Sequence, residues 1–326
     1  NAEHKTVTLG SDDSPEKSNN QFKFRLELSS LGASISSATL SEYDNRNAET
    51  PKPLEILSTV KMPSSKRISS FKSNSIVIGN QLYYLSDLEW KTGNKVRKAD
   101  GSESVSFEAV ILEKLETSGG QFISKDAIKV TKTYTVVPQS YDIRINVDVE
   151  NLSDTAYNSY LTMQGPAGLG REGSRTDMRA IVAGYYNSAK NYVESVKRQQ
   201  TKLRKAQEDN DKETLSLASD SESTHFIWAS VTNKYFAAIL RPLPQENANY
   251  PKDVTLGKAQ YFDAVGTNDV SFTVKTDPVE LAAAGQEGSS ESFDFHMFLG
   301  PKQKDLFQED PIYNKLGYIQ TLSFMP

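Results

Sequence analysis

The chain has 326 residues, enough for one large all-β domain or two average ones. Its 37 basic and 42 acidic side chains give a formal charge of −5, which argues against a nucleic-acid binder, whose affinity comes from neutralising phosphates. It has no cysteine, which removes thiol catalysis, disulfides, iron–sulfur clusters and zinc–thiolate sites together.

Residues 1–20 are polar apart from a short strand candidate at Thr6–Leu9, and they read as a flexible tether. From there Phe22, Phe24, Leu26 and Leu28 alternate with Lys23, Arg25 and Glu27, which predicts a half-buried antiparallel strand. A turn around Gly32 leads into a second strand over Ile35–Leu40, while Pro51–Pro53 and the Ser/Lys-rich stretch 63–73 read as loops. Further strands are expected at Ser75–Ile78, Leu82–Leu85, Val105–Leu112, Ile128–Val137 and Tyr141–Val149. In the last of these Ile143, Ile145, Val147 and Val149 alternate with Arg144, Asn146 and Asp148, so one face of that sheet is wet.

Gly165-Pro-Ala-Gly168-Leu-Gly170 lacks the Lys-Ser/Thr ending of a phosphate loop and reads as a tight, flexible connection between strands. Ser188–Ala218 is the one strong helical signal, a helical insertion with Lys197, Arg198, Lys202, Arg204 and Lys205 followed by Glu208, Asp209, Asp211 and Glu213. The two charge blocks nearly cancel, which favours a solvated helix lying over the sheets above one docked on anionic lipid. Strands resume at Phe226–Val231, Tyr235–Leu240, Ala259–Asp263 and Val270–Val274. More than ten short strands with few helices point to an all-β fold, an antiparallel two-sheet β-sandwich over residues 21–300. No run approaches the roughly 18 apolar residues of a membrane span.

The last 34 residues organise the rest. Phe293, Phe295, Met297 and Leu299 fall on one face of a closing strand, with Asp294, His296 and Phe298 on the other. Gly300-Pro301 breaks the strand, Lys302–Gln308 has the pattern of a short surface helix, and Ile312, Leu316 and Ile319 form an apolar stripe after Asp310-Pro311. The apolar ending Thr321–Pro326 reads as a segment on its way into a membrane rather than a polar tail.

This segment resembles the end of the large periplasmic domain of YidC-type membrane protein insertases: an aromatic strand, then Leu299-Gly300-Pro301-Lys302, a short helix, and Leu316-Gly317-Tyr318. The hairpin from Trp228 to Pro242 and Gly32 after an early strand extend the resemblance over most of the chain, with residues 165–220 as the poor match. The resemblance implies a large sandwich of the galactose-mutarotase kind. It also implies a position on the periplasmic face of the bacterial inner membrane, and work by protein–protein interaction without catalysis, metal or cofactor. The implied partners are the parent protein's own transmembrane core, Sec translocon subunits and nascent membrane proteins, with lipid contact confined to the C-terminus. Residues 301–326 would form a helical linker to a transmembrane helix, and Lys302, Leu306, Phe307, Tyr313, Leu316, Gly317 and Ile319 would carry the coupling.

The alternative is a carbohydrate-binding or mutarotase-like carbohydrate-active protein. It would need a concave sheet face carrying His, Glu and Arg together with a stacking Trp. The three histidines are His4, His225 and His296, and the two tryptophans Trp90 and Trp228. His296 with Glu291 is the one acid–base pair to nominate, and a rim role for His296 in its alternating strand is the stronger reading. No two histidines have metal-ligand spacing and no Gly-x-Ser-x-Gly elbow exists. A purely structural adhesion or scaffold module is a third reading.

Overall fold

The computed structural model describes residues 2–45, 49–116, 120–171, 179–219, 221–245, 248, 250–266 and 268–322. A ten-stranded sheet forms one side of the molecule. Its path runs Val96–Arg97, Glu103–Glu116, Phe122–Val136, Asp142–Asn151, Ser290–Pro301, Phe236–Pro242, Thr224–Thr232, Ala180–Asn187 and Tyr192–Gln199, with Lys91–Thr92 added on Glu103–Glu116. A four-stranded sheet (Thr6–Gly10, Phe24–Ser29, Ser34–Asp44, Pro53–Ser58) and a six-stranded sheet built around Tyr157–Gln164 share its core. Leu26 and Leu28 from the four-stranded sheet, Leu161 and Phe272 from the six-stranded one and Phe107, Ile145 and Phe295 from the large one all belong to that cluster. The antiparallel pairing and the alternating burial of Asp142–Asn151 and Ser290–Pro301 follow the pattern of the sequence.

The expected tether is partly sheet. Thr6–Gly10 pairs with Phe24–Ser29 in register from Thr6 opposite Ser29, and Leu9 is fully buried. One apolar residue facing the core outweighs polar neighbours that only need water on the other face.

The helical insertion expected at 188–218 is half strand. Tyr192–Gln199 pairs with Ala180–Asn187, and helix begins only at Gln200, with α1 at Gln200–Glu208 and α2 at Lys212–Leu215. The Tyr192-Val193…Val196 content favours an extended chain where a neighbouring strand can pair with it, and the basic residues at 197 and 198 are half-buried strand positions.

Two strands absent from the sequence reading, Tyr157–Gln164 and Ala180–Asn187, lie deep in the molecule. Ala180–Asn187 is covered on both faces, with Ile181 and Ala183 in the main core and Val182 in a second cluster on the opposite side of the sheet. A doubly covered strand has no alternation to detect.

The stretch Gly165–Gly170 is a buried crossing rather than a flexible link. Gly165 donates its N–H to the Phe272 carbonyl (2.8 Å), Gly168 to Asp269 Oδ2 (2.6 Å) and Gly170 to the Ile56 carbonyl (2.9 Å), while Ser58 N–H returns to the Gly168 carbonyl (3.0 Å). Asp269 is in turn held by Arg179, whose Nη1 lies 3.3 Å away in an ion pair that is almost wholly buried. The crossing therefore joins the four-stranded sheet to the six-stranded one.

Inside the sandwich, Lys132 occupies a core position. Its ammonium donates to the carbonyls of Phe71 (2.6 Å) and Ala33 (3.2 Å), and Tyr134 also donates to Ala33 (2.7 Å). Ala33 and Phe71 both have left-handed backbone, φ 46° and 54°, so the lysine anchors two strained turns. Burial pushes its pKa well down.

Candidate functional site

The outer face of the large sheet carries a cap made by the C-terminal segment. The last strand ends at Pro301, and Lys302 N–H bonds to the Tyr235 carbonyl at 2.7 Å. Helix α3 spans Lys304–Glu309 and helix α4 spans Pro311–Lys315. Asp310 caps α4, its Oδ1 accepting from Ile312 N–H (2.8 Å) and Tyr313 N–H (3.0 Å), with Pro311 in the first helical turn where no donor is needed. Gly317, at φ +66°, ends the helix and admits a 3₁₀ turn over Tyr318–Leu322.

Aromatic rings seat this cap. Phe298 is the hub, with ring centroids 5.3 Å from Phe307, 5.3 Å from Tyr313 and 6.1 Å from Tyr318. Trp228 meets Tyr318 edge-on at 5.7 Å, and its Nε1–H donates to the Leu316 carbonyl at 2.7 Å. Tyr313 donates to Asp142 Oδ2 at 3.0 Å. At Gly317 an added Cβ would lie 2.9 Å from the Val193 Cβ, so the bare backbone lets the cap close on the Tyr192–Gln199 strand.

The amine of Lys302 is buried under the cap, 3.3 Å from the Thr321 carbonyl, and burial lowers its pKa to about 8. Lys197 is lowered to about 8 as well, by its own burial and then by the charge of Lys302.

Of the expected coupling residues, Phe307 and Tyr313 are buried ring anchors, Lys302 is 6 % exposed, and Leu306, Leu316 and Ile319 pack half-buried at the cap's rim. The stripe of Ile312, Leu316 and Ile319 is not what buries, since Ile312 is 53 % exposed. The buried set is Phe307, Tyr313, Tyr318 and Thr321, because Asp310 and Gly317 break the segment into short turns and destroy a single helical phase. Tyr318, Trp228, Phe298 and Asp142 were not nominated from sequence. The repeated aromatics after residue 298 were the available signal. The expected run into a membrane at Ser323–Pro326 lies outside the described residues.

The nominated pair of His296 and Glu291 does not form. Glu291 shares strand parity with Phe293 and Phe295, which enter the core, whereas His296 lies on the opposite face. Arg241 Nη2 lies 3.1 Å from His296 Nδ1, and burial, then Arg241 and Arg144, lower the imidazole pKa from 6.5 to about 4. His4 pairs with Glu89 at 3.0 Å and His225 stacks on Tyr250 at 3.7 Å. Trp90 and Trp228 are both fully buried, so neither offers a face to a sugar. Among the described residues there is no cluster of metal-ligating side chains, and no helix is long and apolar enough to cross a membrane. A cavity of about 640 Å³ opens between Tyr185, Phe226, Tyr250 and Leu256.

His296 gives an acid-side signature. The unfolded chain takes up the proton first as pH falls from 6.5 towards about 4, so this contribution is present above 6.5 and lost on acidification. Because the ring is partly solvated, the loss is about 2 kcal/mol rather than the full linkage value. His296→Asn is expected to flatten the change in urea-unfolding stability between pH 6.5 and 4, and an unchanged slope would place the ring in water.

A family model described as the YidC periplasmic domain matches residues 20–319. The chain belongs to the YidC periplasmic domain family. Membership places it on the periplasmic side of a membrane protein, as an insertase-associated domain. No curated protein matches the chain significantly.

Among solved structures, the YidC periplasmic domain is similar to an aldose epimerase homologue from C. elegans (11 % identity, 92 % of this chain and 100 % of that one, TM-score 0.46). It is also similar to a galactose mutarotase-like protein from Lactobacillus casei (10 %, 91 % and 100 %, 0.46) and a galactose 1-epimerase from Lactobacillus acidophilus (10 %, 92 % and 100 %, 0.41). At such identity and TM-score no property of these proteins carries over to the YidC periplasmic domain.

Proposed function

We propose that the chain is a non-catalytic interaction domain that assists a membrane protein insertase in inserting and folding inner-membrane proteins. Its sandwich meets protein partners, Sec translocon subunits or emerging polypeptide. Its C-terminal cap couples it to the membrane-embedded core of its own protein. The observation that carries this reading is the cap itself: the segment after the last strand is clamped to the sheet by the Phe298 ring cluster and by the Trp228–Leu316 bond. A clamped segment transmits position between the sheet and whatever follows it, where a loose linker would not. The opposite faces of His296 and Glu291, with both tryptophans buried, disfavour sugar chemistry.

The test uses the half-buried rim, which can be altered without emptying the core. In the insertase that carries this domain, Leu306→Ser, Leu316→Ser and Ile319→Ser combined are expected to cut insertion of a dependent substrate at least several-fold, while the isolated domain melts within a few degrees of the parent. Full insertion activity with a stably folded domain would sink the coupling.

A further inference from the structure

Three neighbouring strands of the large sheet set Arg144, His296 and Arg241 side by side, because His296 is the Cα partner of Arg144 on one flank and of Arg241 on the other. Adjacent strands lie about 4.8 Å apart, so the three side chains leave one short row. The row faces away from the main core, which takes Ile143, Ile145, Phe295 and Met297 from the intervening positions. Arg144 is exposed and makes no ion pair or side-chain hydrogen bond among the described residues. Arg241 has no ion pair among them either, and its buried Nε has no partner. Of the neighbouring carboxylates, Asp142 accepts from Tyr313 at 3.0 Å and also feels the charges of Arg241 and Arg144, so it offsets part of the row's charge; Asp294 accepts from Asn146 at 3.1 Å and Asp310 caps α4. With Nδ1 accepting from Arg241, the neutral imidazole carries its proton on Nε2 and presents a third donor beside the two guanidinium groups.

We propose that Arg144, His296 and Arg241 form a binding site for a phosphate-type oxyanion, filled by an anionic phospholipid headgroup. Guanidinium groups suit this chemistry because their fixed fork of donors matches two oxygens of one phosphate. Two such groups flanking a single N–H donor can share a tetrahedral anion from one side. Free phosphate offers the same oxygens. The headgroup is favoured because Arg241 also reaches the Tyr318 hydroxyl, which ties the row to the cap. That choice of source rests on the coupling reading above, whereas the anion site itself does not.

The first arm titrates inorganic phosphate into the protein at constant ionic strength, with chloride as control, and follows the imidazole signals by NMR. With three histidines in the chain, the signals are separable. The His296 signals are expected to shift saturably and its pKa to rise from about 4, since a bound anion favours the imidazolium, while His4 and His225 stay put. Arg144→Gln and Arg241→Gln should each weaken phosphate about tenfold or more. Arg144→Gln removes an exposed group and spares the fold, so it keeps the test sharp if Arg241→Gln loosens the cap.

The second arm measures co-sedimentation with vesicles of phosphatidylcholine alone or with one-third phosphatidylglycerol. Binding to the anionic vesicles that Arg144→Gln abolishes supports the headgroup. Phosphate binding without vesicle binding upholds the anion site and overturns its lipid source. A non-saturable response, or one that Arg144→Gln leaves unchanged, overturns the site. Failure of the coupling reading shows separately, in the insertion assay.

Discussion

Gly168→Ala is expected to be among the most damaging single substitutions in the chain, costing more than about 4 kcal/mol, a size reserved for a short list of mechanisms. Two of them coincide here. Gly168 sits at φ +75°, where a Cβ alone costs about 1–2 kcal/mol. That Cβ would also lie 1.6 Å from the Ser58 carbonyl oxygen, an impossible distance that only backbone movement relieves. The movement would pull apart the Gly168–Asp269 and Ser58–Gly168 bonds at about 1 kcal/mol each, and would leave the buried Asp269 carboxylate short of a donor beside Arg179. Gly285→Ala is the control: it has nearly the same φ, +76°, with nothing within 4 Å of an added Cβ, and should lose only about 1 kcal/mol. Urea unfolding of both variants checks the comparison. Equal losses would mean that the crossing yields easily and does not join the sheets rigidly.

What the sequence reveals about this fold depends on which strands have one wet face. Tyr141–Val149 and Phe293–Leu299 announce themselves because Arg144, Asn146 and Asp148, or Asp294 and His296, alternate with core residues. Ala180–Asn187 hides because the main core takes one face and the cap's cluster takes the other. Tyr192–Gln199 hides for another reason: its pairing with Ala180–Asn187 is a tertiary event, and charges spaced through it imitate a solvated helix. The same limits apply to the cap. Phe307 and Tyr313 could be nominated from sequence, but their partner Phe298 lies on a strand whose flanking Met297 and Leu299 serve the opposite face. The row of Arg144, His296 and Arg241 joins positions up to 152 residues apart in number and exists only through strand order. Fold class was legible in periodicity, and the site's partners were set by topology.

Phe298→Ala is expected to release the cap and to cost about 3–5 kcal/mol, the usual range for emptying a buried aromatic position. Its ring touches Phe307, Tyr313, Tyr318 and Tyr141, as many aromatic partners as Tyr318 has in the same cluster. The loss should be uneven. Phe295, three residues earlier on the same strand, faces the main core against Phe71, and Phe295→Ala should destabilise the whole sandwich. Phe298→Ala should instead act first on the cap, because α3, α4 and the 3₁₀ turn are short and have little stability apart from the sheet. Amide exchange over residues 304–322 should quicken by orders of magnitude while that over 142–151 changes less. Trp228 should become solvated as its bond to the Leu316 carbonyl opens, which its fluorescence reports. Uniform quickening throughout the domain would show that cap and sandwich unfold as one unit. Selective quickening joined to lost insertion in the parent protein is the outcome that coupling through the cap requires, since the sandwich would then persist with its link to the membrane core undone.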